Sequence, residues 1–281
     1  MREPLSYPTL QIGAETDMSK SYLDELQLEM YGHRKKALFF IRCLQEYAVR
    51  HGIQASGVRV LEFGCGNGRN VALPVAERGF WVTGVDSHQP SVQAARAYNR
   101  LPNVTFICSD FAAFRSDKPY NVVILSDILE HIQDPKHLLK HSLSYLTADG
   151  IILISIPNGY GPFEIERYLV RIGLLKPLLG AIHLLGTIKR KILGQSIPPR
   201  PAYNDECGHI QFFTLSAFHR LLGQTGIKIV RQANGCWFGS DLTSYLFRYL
   251  PPLIQFNLSI ADRLPPSMVS TWYFECSPIR A

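Results

Sequence analysis

The residues best equipped for chemistry lie between Val60 and Phe111. Val60-Leu61-Glu62-Phe63-Gly64-Cys65-Gly66-Asn67-Gly68 places three glycines at alternate positions directly after an apolar run. Glycines spaced this way let a chain turn tightly and bring its backbone against a ligand with no Cβ in between. Glu62 stands just before the loop, and Cys65 lies within it. Asp86, followed by Ser87, ends the next apolar run 18 residues past Gly68. A carboxylate there can accept two neighbouring hydroxyls, as on a ribose. Ser109-Asp110-Phe111 ends the third run, where an acid can take an exocyclic amino group and an aromatic ring can pack on a base. Any one of these carboxylates could equally be a helix N-cap. Three of them at successive strand ends are hard to explain as caps.

The loop spacing narrows the ligand. Its pattern is GxGxG, with Arg69 where a dinucleotide site would carry its third glycine. Glu62 would repel a pyrophosphate but suits a cation. S-adenosylmethionine has no phosphate and carries a sulfonium and an amino-acid tail, so it fits both features.

Positioning these groups requires strands that end side by side. Apolar runs predict strands at 58–63, 80–85, 104–108, 120–126 and 150–156, with helices at 68–78, 90–98 and 135–146 between them. Asp134 reads as the N-cap of the last helix with Pro135 at its first position, and Asp149-Gly150 as a turn into the fifth strand. Alternation of this kind implies right-handed βαβ units and a parallel sheet covered on both faces. A helix at 214–224 and strands at 227–233 and 271–277 follow. The last two lack a crossover helix, which predicts an antiparallel pair at the sheet edge. Residues 19–51 show helical spacing, with Leu23, Leu26 and Met30 on one stripe, Leu38, Ile41 and Leu44 on another, and Gly52 as a stop. The expected fold is α/β: a Rossmann-like, doubly wound, seven-stranded sheet, mostly parallel with an antiparallel final strand. An N-terminal helical segment (1–55) precedes the main domain (56–281), which carries helical lid insertions at about 159–205 and 239–268.

With Val60 to Gly68, Val82-Thr83-Gly84-Val85-Asp86, Cys108-Ser109-Asp110, Ser126-Asp127-Ile128-Leu129-Glu130-His131 and Pro157-Asn158, the chain resembles the class I methyltransferase family. The likeness is to its ubiquinone-biosynthesis-like and related small-molecule branches, and it covers roughly residues 55–158 well and 205–235 more loosely. The resemblance implies S-adenosylmethionine as cofactor. It assigns Glu62, Gly64, Gly66 and Gly68 to the methionine part, Asp86 to ribose, and Asp110 with Phe111 to adenine. Ser126, Asp127, Ile128 and Leu129, after the fourth strand, would lie near the sulfonium methyl. Tyr31 and Arg34 are candidates for the methionine carboxylate, although a solvated arginine is as good a reading.

The acceptor side is less legible. Ser126-Asp127-Ile128-Leu129 lacks the Asn/Asp-Pro-Pro-aromatic signature of amino-methylating nucleic-acid enzymes, and only Glu130 stands near enough to hold a guanidinium. Resemblance and elimination favour oxygen methylation, which benefits from a base. His131 and His209 are the candidates, each of which could instead be a hydrogen-bonded structural residue, and Glu164 is a poorer one. No metal-ligand spacing is evident, and the six cysteines form no CxxC pair, as in a reduced cytoplasmic chain.

From Arg167 to Arg200 seven basic residues and no acidic one interleave with leucine and isoleucine, and this segment accounts for the net charge of +6. As a lid, its apolar face would cover a hydrophobic small-molecule or lipid acceptor. As a cationic amphipathic segment, residues 163–194 could also touch an anionic membrane peripherally. Aliphatic rather than aromatic interleaving argues against nucleic acid. No secretory signal or membrane-spanning run is expected. The competing expectations are a peripheral membrane-binding protein that keeps the fold without turnover, and a nicotinamide oxidoreductase, which the glycine spacing disfavours.

Overall fold

The computed structural model describes residues 21–26, 30–181, 184, 208–247 and 250–279. Much of the basic insertion, including Lys189, Arg190 and Lys191, therefore lies outside the described residues.

Seven strands form one sheet in the order β3-β2-β1-β4-β5-β7-β6. They are β1 (Arg59–Phe63), β2 (Trp81–Asp86), β3 (Val104–Cys108), β4 (Tyr120–Ser126), β5 (Leu146–Pro157), β6 (Ile227–Asn234) and β7 (Thr271–Pro278). The first five pair in parallel, and β7 runs antiparallel to both β5 and β6. The central strands are buried on both faces, which explains their continuous apolar runs. One core cluster contains Val60, Val82, Val122 and Leu153, and the other Leu61, Phe63, Val123 and Leu125. Neighbouring residues on a strand thus pack on opposite faces.

The helices are α1 (Tyr22–Glu25), α2 (His33–Arg50), α3 (Ala72–Ala76), α4 (Gln89–Tyr98), α5 (Pro135–Leu143), α6 (Pro162–Arg171), α7 (Leu215–Gln224), α8 (Asp241–Phe247) and α9 (Pro251–Ala261). Asp134 caps α5 as expected, accepting the His137 N–H with Pro135 at the first position. Gly52, at φ 64°, follows the end of α2 as the predicted stop.

Four local expectations change. The N-terminal helical spacing is divided, because Gly32 at φ 80° separates α2 from what precedes it. The buried face of α2 is Ala37, Phe40, Ile41, Leu44 and Tyr47, and Leu38 lies outside it. The helix expected at 68–78 shrinks to Ala72–Ala76, since Gly68 at φ 75° cannot be helical. Finally, Asp149-Gly150 is no turn before β5. The strand begins at Leu146, and the register jumps from Tyr120↔Leu146 to Val122↔Ile151, so the dipeptide lies in a bulge.

Candidate functional site

Register brings the motif residues together. Phe63 pairs with Val85 and with Leu125, Asp86 with Cys108, and Ser126 with Ser155. Everything that follows β1, β2, β3, β4 and β5 therefore projects from the same edge of the sheet, the carboxyl end where such folds bind ligands.

The glycine loop is wound as its composition requires. Gly64, Gly66 and Gly68 have φ values of 73°, 53° and 75°. A Cβ on Gly64 would lie 2.6 Å from Ile128 Cδ1, and one on Gly68 2.5 Å from the Phe106 ring. The loop is tied to β2 by Gly64 N–H and Cys65 N–H, both donating to Val85 O at 2.8 and 3.2 Å. Cys65 is buried and its sulfur turns back toward Gly66 O. Asp86 accepts the Gly66 N–H and the His88 N–H, each at 2.8 Å, which fixes its carboxylate at the strand end. Ser87 beside it is exposed. Asp110 is exposed and accepts the Ala112 N–H at 2.8 Å, while the Phe111 ring packs against His137 and His141.

Glu62 lies beneath this loop, 3% exposed, with no hydrogen-bond partner for Oε2 among the described residues. Burial first, and then the Asp86 charge, push its carboxyl up to about 8 against the pull of Lys36. A buried acid in that state is neutral at pH 7 until a cation arrives. S-adenosylmethionine fits these residues on three counts: a cradle that side chains would fill, a fixed carboxylate at the end of β2, and an orphaned buried carboxyl oxygen below the loop.

The other half of the site begins at Asp127, whose φ of 49° is the one positive value among described non-glycine residues. Its carboxylate receives Lys36 Nζ at 2.6 Å and Ser155 Oγ at 2.7 Å, and Ser155 in turn contacts Ser126 Oγ at 3.2 Å. Ser126 is thus buried within this relay. Burial works to raise the Asp127 pKa, but the Lys36 charge and the two hydrogen bonds outweigh it and hold the carboxyl below its usual range. Lys36 is itself only 2% exposed.

Beyond Asp127, the short 3-10 turn Leu129–His131 carries Glu130, which is 1% exposed, with Oε2 unpartnered among the described residues. Burial, then the nearby Asp127 charge, raises its carboxyl well above the usual range. Glu130 O accepts N–H bonds from Ile210 and Gln211 at 2.9 and 3.0 Å, which draws the segment after the first insertion onto this turn. Gly159 permits the approach, since its Cβ would meet the Phe212–Phe213 backbone at 2.6 Å. The His131 and His209 rings consequently stand 4.9 Å apart, edge to face. His131 Nδ1 bonds Gly208 O at 3.1 Å, and His209 Nδ1 bonds Glu164 Oε1, on α6, at 2.5 Å. Burial, followed by the neighbouring His209, holds the His131 pKa below its usual value. One ligand atom each from Glu130, His131 and His209 lies within 4.8 Å of the others.

The sequence offers both histidines as candidate bases and places His131 at the mouth of the pocket; the structure sets His209 beside it. It did not identify Lys36 or the buried state of Glu130. Lys36 had a signal: it lies on the α2 stripe of Phe40, Cys43 and Tyr47, where a cation is out of place unless paired. Arg34 instead lies 3.7 Å from Asp24 and lines the groove between α2 and α9 with Leu38 and Leu258. Tyr31 packs against His33 and Phe163.

Comparison with known proteins agrees with this geometry. A sequence model of the family "Methyltransferase domain" matches residues 31–232. The ubiquinone biosynthesis O-methyltransferase of Rickettsia canadensis is 26% identical over 186 residues, 66% of this chain and 68% of that protein. Its counterpart in Rickettsia akari is 27% identical over 128 residues, 45% of this chain and 51% of that protein. With most of these relatives, therefore, the match spans about half their length or less. The plantazolicin methyltransferase BpumL, solved with a monoazolic desmethylPZN analog and SAH, superposes with a TM-score of 0.52 at 20% identity, covering 88% of this chain and 84% of that one. A methyltransferase from Clostridium acetobutylicum superposes at 0.51 with 11% identity, covering 87% and 91%. At such identities the structural likeness speaks for the fold alone. Family match, fold and glycine cradle converge: the chain belongs to the methyltransferase-domain family and is a class I, S-adenosylmethionine-dependent methyltransferase.

Proposed function

We propose that the protein transfers the methyl group of S-adenosylmethionine to an oxygen of a hydrophobic small-molecule or lipid-linked acceptor. The observation that carries this reading is the pairing of His131 with His209 beside the Asp127 turn, beneath α6. S-adenosylmethionine supplies an electrophilic methyl on sulfur, so alignment of the acceptor does much of the work. Glu62 and Asp127 would meet the positive charges of the methionine part, Lys36 its carboxylate, Asp86 the ribose, and Asp110 with Phe111 the adenine. A hydroxyl acceptor must lose its proton as the new bond forms, and an imidazole beside it is the side chain suited to take that proton.

Support for an apolar acceptor comes from the insertions. Ile165, Tyr168, Ile172, Leu174 and Leu178 are 46–68% exposed, alongside Arg167 and Arg171. Leu253 and Phe256 of α9 add a second exposed apolar strip. The relatives whose names specify ubiquinone biosynthesis agree with such a substrate class. Among described residues no helix is long and apolar enough to cross a membrane. The reading is of a cytoplasmic chain that covers its acceptor with the insertion beginning at Phe163 and touches an anionic bilayer through it; of the expected 163–194 segment, residues 182–183 and 185–194 lie outside the described residues. No described feature favours a chain that keeps the fold without turnover.

The test is incubation with methyl-labelled S-adenosylmethionine and a neutral-lipid extract of the source cell. The expected product is an extractable compound whose label resides on oxygen. Label confined to protein or nucleic acid would overturn the proposal. Flotation with anionic but not neutral vesicles, lost in Arg171→Glu/Lys176→Glu, is expected for the membrane contact, and equal flotation with both vesicle types would remove its electrostatic part.

A further inference from the structure

We propose that α1 is a latch on the cofactor site: Glu25 docks it onto Arg69 at the exit of the glycine loop, and docking and S-adenosylmethionine binding stabilise each other. The latch concerns the donor side alone, whatever the acceptor.

Arg69 stands where a dinucleotide loop would carry its third glycine, and no contact proposed for the cofactor uses it. Its N–H donates to Asn67 Oδ1 at 3.2 Å, which closes the exit of the loop. Its guanidinium lies 4.5 Å from the centre of the Tyr98 ring and donates to Glu25 Oε2 at 3.1 Å. The Tyr98 hydroxyl donates to the same oxygen. Arg100 lies 3.7 Å from Glu25 Oε1 and stacks on the Tyr22 ring at 4.5 Å. One carboxylate, 12% exposed, thus gathers two guanidiniums and a phenol.

These contacts join the two elements that shape the donor site. The glycine loop runs out at Arg69. The other element, α4, begins just after His88, whose N–H holds Asp86, and it ends at Tyr98. Glu25 fastens the far end of α4 to the exit of the loop. A loop wound for the cofactor therefore presents Arg69 where Glu25 can take it.

A latch needs an open state, and α1 can leave without the rest of the fold. It has four residues, too few for a helix to persist unaided. Besides Glu25, its holds are Tyr22 and Leu23 in the core and Ser21 on the Glu77 carboxylate. From Met30 onward the chain is held separately. Asn257 Nδ2 donates to Met30 O at 2.8 Å, and Gly32, at φ 80°, begins α2 with no side-chain cap. Short elements held by few contacts are the first to open locally. If cofactor favours docked α1, docked α1 must favour cofactor by the same factor.

The test uses the full chain, with hydrogen exchange and the release of labelled S-adenosylmethionine chased by unlabelled cofactor. Saturating cofactor should slow exchange of the Asp24, Glu25 and Leu26 amides about tenfold and leave α7 unchanged. Glu25→Gln, which alters neither the loop nor Asp86, should abolish that protection and speed release about 5- to 10-fold. Arg69→Met should do the same, and the double variant no more than the larger single one. Exchange in α1 that ignores the cofactor, additive effects of the two substitutions, or unchanged release in Glu25→Gln would each overturn the latch and leave the methyltransferase assignment standing. A parent chain that binds no S-adenosylmethionine would overturn both.

Discussion

At the β1–β2–β3 end of the cleft, the groups that shape the ligand site are largely backbone: the Gly64 to Gly68 loop, its N–H bonds to Val85 and Asp86, and Asp110 capping its own turn. At the β4–β5 end they are side chains drawn from distant parts of the chain. Lys36 arrives from α2, Ser155 from β5, Glu164 from α6 and His209 from beyond the first insertion. The first end is held by local geometry that any folded sheet supplies. The second depends on buried charges that stabilise only in company. The difference predicts that the β4–β5 end is thermodynamically brittle while the β1–β2–β3 end is tuned in affinity.

The largest effect is expected for Asp127→Asn. Asparagine tolerates the positive φ, so the change removes the charge and strands the buried Lys36 ammonium. Breaking such a pair costs about 3–5 kcal/mol, read as a fall in the urea midpoint. Adding Lys36→Met should restore more than half, and a single variant as stable as the parent would erase the contrast between the two ends.

Asp86→Ala comes next. It removes the carboxylate proposed to hold the ribose hydroxyls, and charge-assisted bonds of this kind are worth about 1.5–3 kcal/mol each. S-adenosylmethionine affinity should drop roughly 100-fold by calorimetry; unchanged affinity would take Asp86 out of the pocket.

Gly68→Ala tests the loop itself. The left-handed backbone costs about 1–2 kcal/mol for a residue with a Cβ, and here that atom also meets the Phe106 ring. A loss below ~0.5 kcal/mol would mean that the loop yields more easily than its geometry implies.

The smallest effect is a pH dependence. Glu62 has its carboxyl raised to about 8, so below that pH a cationic ligand must displace its proton. Affinity for S-adenosylmethionine should therefore rise with pH, by at most tenfold per unit, and level off above about 8. Folding stability moves the opposite way. The unfolded carboxyl ionises near its usual value while the buried one stays protonated, so stability declines between those two pKa values. Glu62→Gln should flatten both profiles. An affinity slope that persists in Glu62→Gln would assign the linkage to another group.

The sequence was most legible where function is written in backbone. Gly64, Gly66 and Gly68 take the conformations their composition implies, and Asp86 and Asp110 stand at the ends of the strands expected to carry them. Strand runs translate well because β1 and β4 are buried on both faces. Legibility failed at boundaries that a single contact decides. Gly68 postpones α3 by four residues from the expected start, and the bulge beside Asn121 absorbs Asp149-Gly150 into β5.

What the sequence alone determined is the winding of the Gly64–Gly68 loop, because its spacing is local and glycine conformations are intrinsic to the residue. The tertiary structure decided the rest. Whether a histidine, lysine or glutamate is solvated, paired or stranded depends on which distant segment packs over it. Lys36 acquired its partner only when α2 docked, and His209 reached His131 only when residues 208–211 closed on the Glu130 carbonyl. The charge states that follow, with Glu62 and Glu130 raised and Asp127 lowered, are consequences of burial and company, which no residue carries in its name.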